Sequence, residues 1–178
     1  LSPALLLAVP LLPLLGCLIA GFLGTALMGN RIGRSASHWV TILGVFFSFL
    51  LSCYVLWQVT QGARFDDTIY EWMVVGDFRM EVGFLIDGLT ALMMVVVTSV
   101  SFLVHIYTIG YMDGDRGYNR FFSYISLFTF SMLMLCMSNN FLQLFFGWEA
   151  VGLVSYLLIG FWFDRPPSVF ANLKAFMV

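Results

Sequence analysis

Charge is scarce in this sequence. Of 178 residues only 8 are Lys or Arg and 10 are Asp or Glu, and the net charge of −2 provides neither a basic face for nucleic acid nor a strongly acidic tail. Hydrophobic residues make up 61% of the chain and the mean hydropathy is +0.94, far from the averages for soluble domains. We therefore expect an all-α membrane protein whose solvent is the lipid bilayer, without nucleic acid or a soluble small molecule as a ligand.

Cysteine is also rare, and its pattern excludes the common cysteine chemistries. Cys17, Cys53 and Cys136 each lie in an apolar stretch, without a C-x-x-C pair or a neighbouring histidine that would complete a metal site. The sequence also has no glycine-rich phosphate loop, nucleophile elbow or haem-binding pair. We expect the chain to hold no metal, no cofactor and no catalytic redox centre.

Apolar stretches of about 20 residues, the length that spans a bilayer, recur along the chain. They predict about six transmembrane helices, over residues 5–28, 39–59, 83–110, 121–137, 141–163 and 168–178. The sixth is cut by the chain end after about three turns, so we expect a fragment of a longer protein. A signal peptide is not expected, because the arginines of the first span follow its apolar stretch. Residues 1–59 thus hold two helices, and residues 83–178 hold helices three to six.

Residues 60–82 form the remaining region, an external loop and the only long polar connection of the chain. Side chains alternate in character on both sides of Gly76, with aromatic or apolar ones at Tyr70, Trp72 and Val74. Such alternation around a glycine is typical of a β-hairpin. We predict a small hairpin that lies on the membrane surface outside the helical bundle.

Arginines are distributed unequally between alternate loops. The loops after the first, third and fifth spans contain Arg31, Arg34, Arg116, Arg120 and Arg165. The opposite side has only Arg64 and Arg79. Because cytoplasmic loops carry an excess of Lys and Arg, we expect the amino terminus and the hairpin to lie outside, and the arginine-rich loops to lie in the cytoplasm or matrix.

Glu149 is the outstanding candidate for chemistry. It lies about eight residues inside the fifth span, roughly 12 Å along the helix axis from the nearer end. An ionised carboxylate at that depth costs at least a few kcal/mol, so Glu149 must face the bundle interior, meet a cation or water, or stay protonated. Each of these states can serve proton transfer. The alternative is a structural carboxyl that hydrogen-bonds a neighbouring helix.

Lys174 is the only lysine of the chain and lies near the start of the sixth span. The fifth and sixth spans run antiparallel, so we expect Glu149 and Lys174 on adjacent helices at depths that differ by roughly 12 Å. Direct contact would need a bridging water, or both reach and tilt. The alternative is a lysine whose ammonium group extends to the nearby interface.

Asp87 and His105 lie near the two ends of the third span. Their separation of 18 residues equals about five turns, which would place them on one helix face about 27 Å apart. They are candidates for the two ends of one polar stripe in a proton path. The alternatives are that Asp87 satisfies the free backbone donors of a helix start, and that His105 is a satisfied histidine at the membrane interface.

Several short motifs together resemble a family of membrane proteins. They are Gly83-Phe84-Leu85-Ile86-Asp87-Gly88-Leu89-Thr90, His105-Ile106-Tyr107, Gly110-Tyr111-Met112, Gly117-Tyr118-Asn119-Arg120-Phe121-Phe122, Gly147-Trp148-Glu149, Ser155-Tyr156-Leu157-Leu158-Ile159-Gly160-Phe161-Trp162 and Lys174-Ala175-Phe176. From the hairpin onward, the chain resembles the largest antiporter-like membrane subunit of respiratory complex I. The same motifs also resemble the large subunit of multisubunit sodium/proton antiporters, a secondary transporter with no redox partner.

The complex I resemblance implies a proton-translocating, non-redox subunit of NADH:quinone oxidoreductase and part of a larger antiporter-like helical bundle. Glu149 matches the carboxylate of the family's first half-channel, whereas Lys174 matches a lysine other than that carboxylate's usual partner, which lies on a later helix. Other membrane-arm subunits are the implied partners, and FMN, iron–sulfur clusters and quinone are expected in partner subunits. The implied location is the bacterial cytoplasmic membrane or the mitochondrial inner membrane.

Overall fold

The chain folds into a bundle of helices that carries one β-hairpin. The computed structural model describes residues 2–24, 29 and 33–178. The predicted end of the first span, residues 25–28, and Arg31 lie outside the described residues. The elements are α1 Pro3–Leu18, continued by a π-helical segment at Ile19–Leu23, then α2 Arg34–Thr60, β1 Phe65–Val75, β2 Phe78–Ile86, α3 Gly88–Tyr111, α4 Tyr118–Met137, α5 Phe141–Ile159 and α6 Pro166–Met177.

In the described part of the chain, five helices are long and apolar enough to cross a membrane, namely α1 with its π-helical segment and α2 to α5. The short α6 has 12 residues, which corresponds to the three turns expected of the sixth span. The two strands form one antiparallel sheet. The predicted fold class, a helical membrane bundle with a small β-hairpin, is therefore confirmed.

Helix boundaries differ from the predicted ones at several places. The second helix begins at Arg34 instead of residue 39. The third begins at Gly88 instead of residue 83, because residues 83–86 still pair with β1 and Asp87 caps the helix. The fifth ends at Ile159 instead of residue 163, where the chain turns at Gly160. Hydropathy alone does not locate these ends, since strands and turns beside a membrane are as apolar as the helices.

The hairpin packs on the turn between α4 and α5. Gly76 at its tip has a φ of 60°, a left-handed conformation that favours glycine. At its base the Gly83 N–H donates to Gln143 Oε1, and the Asn140 side chain donates to the Glu81 carbonyl, both at 3.0 Å. The register runs from Phe65 opposite Ile86 to Val75 opposite Phe78. The hairpin is thus anchored on the first turn of α5.

A backbone carbonyl of α1 is satisfied by another helix. Pro13 has no N–H, so the Val9 carbonyl loses its usual helical partner. Ser48 of α2 donates its hydroxyl to that carbonyl at 2.6 Å. Side chains of α4 bind three further carbonyls of the first helix, in the pairs Ser126 with Pro13, Ser123 with Cys17 and Asn119 with Gly24. Such bonds are needed because the hydrocarbon layer supplies no water to these groups.

Two apolar clusters occupy opposite ends of the bundle. The cluster below the hairpin contains Leu6, Val9, Val55, Val59, Phe84, Ile86, Ala91, Met94, Leu133 and Met137. The other contains Ile42, Met112, Tyr118, Phe122, Ile125 and Phe161. Beside the second cluster, Arg34 donates to the Asp115 carbonyl and Arg120 to the Phe161 carbonyl, both at 2.8 Å. We call this end, which carries Arg34, Arg116, Arg120 and Arg165, the arginine-rich end.

Candidate functional site

Glu149 lies in the middle of α5, on the face turned away from α4. The buried face of α5 is formed by Gln143, Gly147 and Val154. Gly147 packs so closely that an added Cβ would lie 3.0 Å from the Leu135 Cα of α4. Glu149 follows Gly147 by two residues, about 200° around the helix, and it is exposed in the described chain. Its carboxylate therefore does not enter the interior of the described bundle, which was one of the positions expected for it.

Lys174 is exposed on α6 and lies far from Glu149. The rings of Tyr156 on α5 and Phe176 on α6 are 5.0 Å apart, which aligns the two helices. Tyr156 follows Glu149 by seven residues and Lys174 precedes Phe176 by two, so the two charged residues are about 13 Å apart along the axes. Among the described residues, no ion pair within 4.0 Å involves either of them. This offset, derived from the ring contact and the helical rise, is close to the roughly 12 Å expected from the sequence.

A small polar cavity lies between α4, α5 and α6 near the arginine-rich end. Its volume is about 230 Å³, and it is lined by Arg120, Tyr124, Tyr156, Leu157, Gly160, Phe161, Phe163 and Asn172. Two lining residues keep a buried polar atom without a hydrogen-bond partner in the described chain, Arg120 Nε and Asn172 Oδ1. A donor and an acceptor beside a space of this size suit a few hydrogen-bonded waters. We call this space the polar cavity.

Tyr156 lines the polar cavity and lies on the same helix as Glu149. Seven residues complete about two helical turns, so Tyr156 and Glu149 share one face of α5 about 10 Å apart along the axis. On the far side of the cavity the Arg120 guanidinium lies 4.5 Å from the centre of the Phe161 ring. The Arg120 cation of α4, the Tyr156 phenol of α5 and the Glu149 carboxylate of α5 thus follow one another along the bundle. Sequence analysis did not single out Arg120 or Tyr156, although both lie in the quoted motifs, because spacing along one helix does not show what a neighbouring helix brings to it.

His105 is fully buried against α4. Its Nδ1 lies 2.6 Å from the Ser101 carbonyl oxygen, and the Ser101 hydroxyl bonds Thr129 of α4. The Nε2 atom is buried without a partner in the described chain. The ring lies 6.1 Å from the ring of Phe122. Of the two nitrogens, Nδ1 is thus satisfied within α3 and Nε2 is not satisfied by any described residue, so the alternative of a satisfied histidine holds for one nitrogen only.

Asp87 precedes α3 and caps it. Its Oδ1 accepts the Thr90 N–H at 2.9 Å. This hydrogen bond from the helix start holds the pKa of Asp87 below its ordinary value of 3.8. The structure therefore shows the capping contact that was the alternative explanation for this residue. Buried Thr90, Thr98, His105 and Thr108 share one face of α3, but Thr98 and Thr108 donate to carbonyls of their own helix.

Asp115 organises the arginine-rich end and was not recognised as important in the sequence. Its carboxylate accepts from Trp162 Nε1 and from the Gly117 N–H, both at 2.9 Å. The Trp162 contact lowers the pKa of Asp115 from its ordinary value of 3.8. The loop before α4 is thereby joined to the turn after α5. Only tertiary structure brings these two loops together.

Within residues 2–24, 29 and 33–178, no three His, Cys, Asp or Glu side chains are close enough to share a metal ion. The candidates for chemistry in the described chain are therefore individual ionisable side chains, namely Glu149, Lys174, His105 and Arg120.

Comparison with known proteins identifies relatives over the whole chain. Residues 72–122 match the family described as NADH-Ubiquinone oxidoreductase (complex I), chain 5 N-terminus, and residues 138–178 match NADH:quinone oxidoreductase/Mrp antiporter, TM. NADH-quinone oxidoreductase subunit L of Neisseria meningitidis is 64% identical over 177 residues, which cover 98% of this chain and 26% of that protein. The chloroplastic NAD(P)H-quinone oxidoreductase subunit 5 of Mesostigma viride is 44% identical over 175 residues, 95% of this chain and 26% of that protein.

The chain thus spans about a quarter of the length of these curated relatives. Among solved structures, a chain of the membrane-bound sulfane sulfur reductase, an archaeal respiratory membrane complex, has a TM-score of 0.78 and 17% identity, over 97% of this chain and 33% of that one. This likeness concerns the fold alone. Because both family models and both relatives agree, the chain belongs to the family of antiporter-like membrane subunits that includes subunit L and chain 5 of NADH-quinone oxidoreductases.

Proposed function

We propose that this chain is part of a proton-translocating membrane subunit of NADH:quinone oxidoreductase and that Glu149 carries the proton. Family membership supports the first part, since the relatives named above are subunits of such oxidoreductases. The second part rests on one observation. Glu149 lies in the middle of a membrane-spanning helix, exposed on the face that the described helices leave open.

An ionised carboxylate in this position cannot face lipid without a cost of a few kcal/mol. We infer that the open face of α5 is covered in the whole protein by further helices, by water or by a cation. The relatives are about four times longer than this chain, which supports the presence of such helices. On that surface Glu149 has two stable states, protonated in an apolar contact and ionised when a cation is near.

The polar cavity supports a route by which protons reach Glu149 from the arginine-rich end. Waters between Arg120 and Asn172 would bring a proton to the Tyr156 hydroxyl. From there about 10 Å of helix separates it from Glu149, a gap that a few further waters would bridge. Lys174, about 13 Å away along the axis, acts through its charge and not by direct contact.

His105 and Asp87, the two other candidates for a proton path, lie in different environments. The Nε2 atom of His105 is buried without a partner among the described residues, and His105 therefore stays a predicted member of a proton path. Asp87 already serves α3 as a cap. Its part in proton transfer stays a prediction. Protonation of the carboxyl would have to leave the hydrogen bond from the Thr90 N–H in place.

The electron chemistry belongs to partner subunits in this proposal. They would bind FMN, iron–sulfur clusters and quinone, while this chain contributes only charge movement. The arginine-rich end would lie in the cytoplasm or matrix, and the hairpin and amino terminus on the outer side. The antiporter alternative is less well supported, since the relatives named above are quinone oxidoreductase subunits. Copurification of the intact protein with flavin and NADH oxidation would distinguish the two.

Substitution of Glu149 tests the proposal directly. Glu149→Gln keeps the size of the side chain and its hydrogen bonding but cannot ionise, whereas Glu149→Asp keeps the acid on a shorter arm. In an assembled complex, Glu149→Gln should reduce proton pumping at least tenfold, in line with the loss of a general acid–base group, and slow coupled electron transfer. Glu149→Asp should retain a substantial part of both.

A structural carboxyl would give the opposite order, because Gln can still bond a neighbouring helix while the shorter Asp loses reach. Proton uptake by sealed vesicles and NADH oxidation should be measured on the same preparation. Normal pumping per electron in assembled Glu149→Gln, at an undiminished electron transfer rate, would show that Glu149 carries no proton.

A further inference from the structure

A large cleft opens between the first helix and α4 at the arginine-rich end. Its volume is about 860 Å³, and its wall is mostly apolar. Leu18 and Phe22 on this wall remain 41% and 47% exposed, so the described helices do not cover it. We call it the arginine cleft, after the residues that form its wall and mouth: Leu14, Leu18, Phe22, Arg34, Arg116 and Arg120.

The charged side chains among the described lining residues of the arginine cleft are arginines, while the nearest carboxylates, Asp113 and Asp115, belong to the adjoining loop. Three arginines line the cleft, and none of the described lining residues is Asp or Glu. Arg34 and Arg120 donate to backbone carbonyls, which leaves their charges without a counter-ion within 4.0 Å among the described residues. Arg116 is exposed. The first turn of α4 also lines the mouth and adds the positive end of its helix dipole.

The depth of the cleft corresponds to one leaflet of a bilayer. Its lining on α4 extends from the loop before the helix to Leu127, about 14 Å along the axis. Half of a hydrocarbon core of about 30 Å is 15 Å. An apolar slot of that depth, open at the side and ending in arginines at the membrane surface, matches a lipid in both length and polarity.

We propose that the arginine cleft binds an anionic glycerophospholipid of the arginine-rich leaflet. The phosphate lies between Arg34, Arg116 and Arg120, and an acyl chain lies along Leu14, Leu18 and Phe22. Basic pockets between transmembrane helices bind anionic headgroups in this way. The cleft shares Arg120 and Tyr124 with the polar cavity. The lipid proposal does not depend on proton transfer by Glu149, because Arg34, Arg116 and the apolar wall line the cleft alone.

Photolabelling in vesicles tests the site in the intact protein. The vesicles contain phosphatidylglycerol and phosphatidylcholine in equal amounts, one of the two carrying a photoreactive group in its acyl chain, and labelled peptides are located by mass spectrometry. Peptides of the cleft should take up phosphatidylglycerol in clear excess over phosphatidylcholine. The exposed α2 side chains Leu43, Phe47 and Leu50 are the internal reference and should show no such preference.

Arg116→Gln is the informative variant, because Arg116 is exposed and makes no hydrogen bond or ion pair among the described residues. It should lower the phosphatidylglycerol preference of the cleft about fivefold, the effect of one surface arginine. Arg116→Lys should retain most of the preference. Arg165→Gln is the matched control, since it removes the same charge at the same end without lining the cleft.

Three results would overturn the proposal. The first is equal labelling of the cleft by both lipids. The second is an unchanged preference in Arg116→Gln. The third is a cleft that neither lipid labels while the α2 reference is labelled, which would show that a further protein segment fills it.

Discussion

The Ser48 hydroxyl donates to the Val9 carbonyl at 2.6 Å, and this is the carbonyl that Pro13 leaves without a helical partner. Ser48 and Val9 are both fully buried. Water cannot replace the missing bond inside the bundle. A proline in one helix is therefore tolerated because a serine lies opposite it on the next.

Ser48→Ala should destabilise the protein by about 1–3 kcal/mol, because it leaves the buried Val9 carbonyl unsatisfied. Ser99→Ala is the control. The Ser99 hydroxyl donates to Val96 in its own helix, and that carbonyl keeps its regular partner. Unfolding of the purified protein in detergent should show the difference, and equal stability of the two variants would contradict it.

Gly147→Ala should push α4 and α5 apart. Its Cβ would lie 3.0 Å from the Cα of Leu135, and backbone cannot move aside as a side chain can. A loss of about 1–3 kcal/mol is expected. Gly152→Ala, five residues further along α5, meets nothing within 4 Å among the described residues, and in the described chain it should be neutral or stabilising by up to about 1 kcal/mol. Thermal unfolding of both variants measures the contrast, and a stable Gly147→Ala would mean that the helices are less closely packed than observed.

Asp115 should make the stability of the arginine-rich end depend on pH. Its pKa is lowered chiefly by Trp162, so the ionised carboxyl stabilises the fold. This contribution is complete above the ordinary value of 3.8 and is lost as the pH falls through the lower folded value. Asp115→Asn should cost about 1 kcal/mol at neutral pH, and its difference from the unmodified protein should shrink below about pH 4.

Melting temperatures measured between neutral pH and pH 3 test this dependence. Asp113→Asn, which removes an exposed carboxyl of the same loop, is the control variant. A constant difference between Asp115→Asn and the unmodified protein at every pH would show that folding does not change the pKa of this carboxyl.

The two ends of the bundle should be accessible from opposite sides of sealed vesicles. Single cysteines at Ser35 and Asp113 mark the arginine-rich end, and those at Gln61 and Asp77 mark the hairpin end. All four positions are exposed, and the native cysteines would first be replaced. A membrane-impermeant thiol reagent should label Gln61 and Asp77 from outside and the other two only after permeabilisation. Labelling of all four from one side would contradict the arrangement, and a reversed pattern would contradict only the proposed orientation.

Several features were predictable from the sequence because they depend on local patterns. Apolar runs longer than a bilayer is thick predicted the helices, and alternation around Gly76 predicted the hairpin. The end of the hairpin was predicted wrongly, since residues 83–86 are as apolar as the helix that follows. Asp87 marks the true boundary, and an N-cap is visible in the sequence once the strand is recognised.

The sequence by itself determined that this chain belongs in a membrane, where its charges are concentrated and that Glu149 lies in the middle of a span, because hydropathy and spacing are properties of one segment. Only the tertiary structure decided that Glu149 lies on the face of α5 turned away from α4. It alone showed that Arg120 and Tyr156 line one cavity and that Trp162 binds Asp115. These contacts depend on the rotation and alignment of whole helices. Close packing at Gly147 and hydrogen bonds between distant segments set that alignment, and neither has a signature within a single helix.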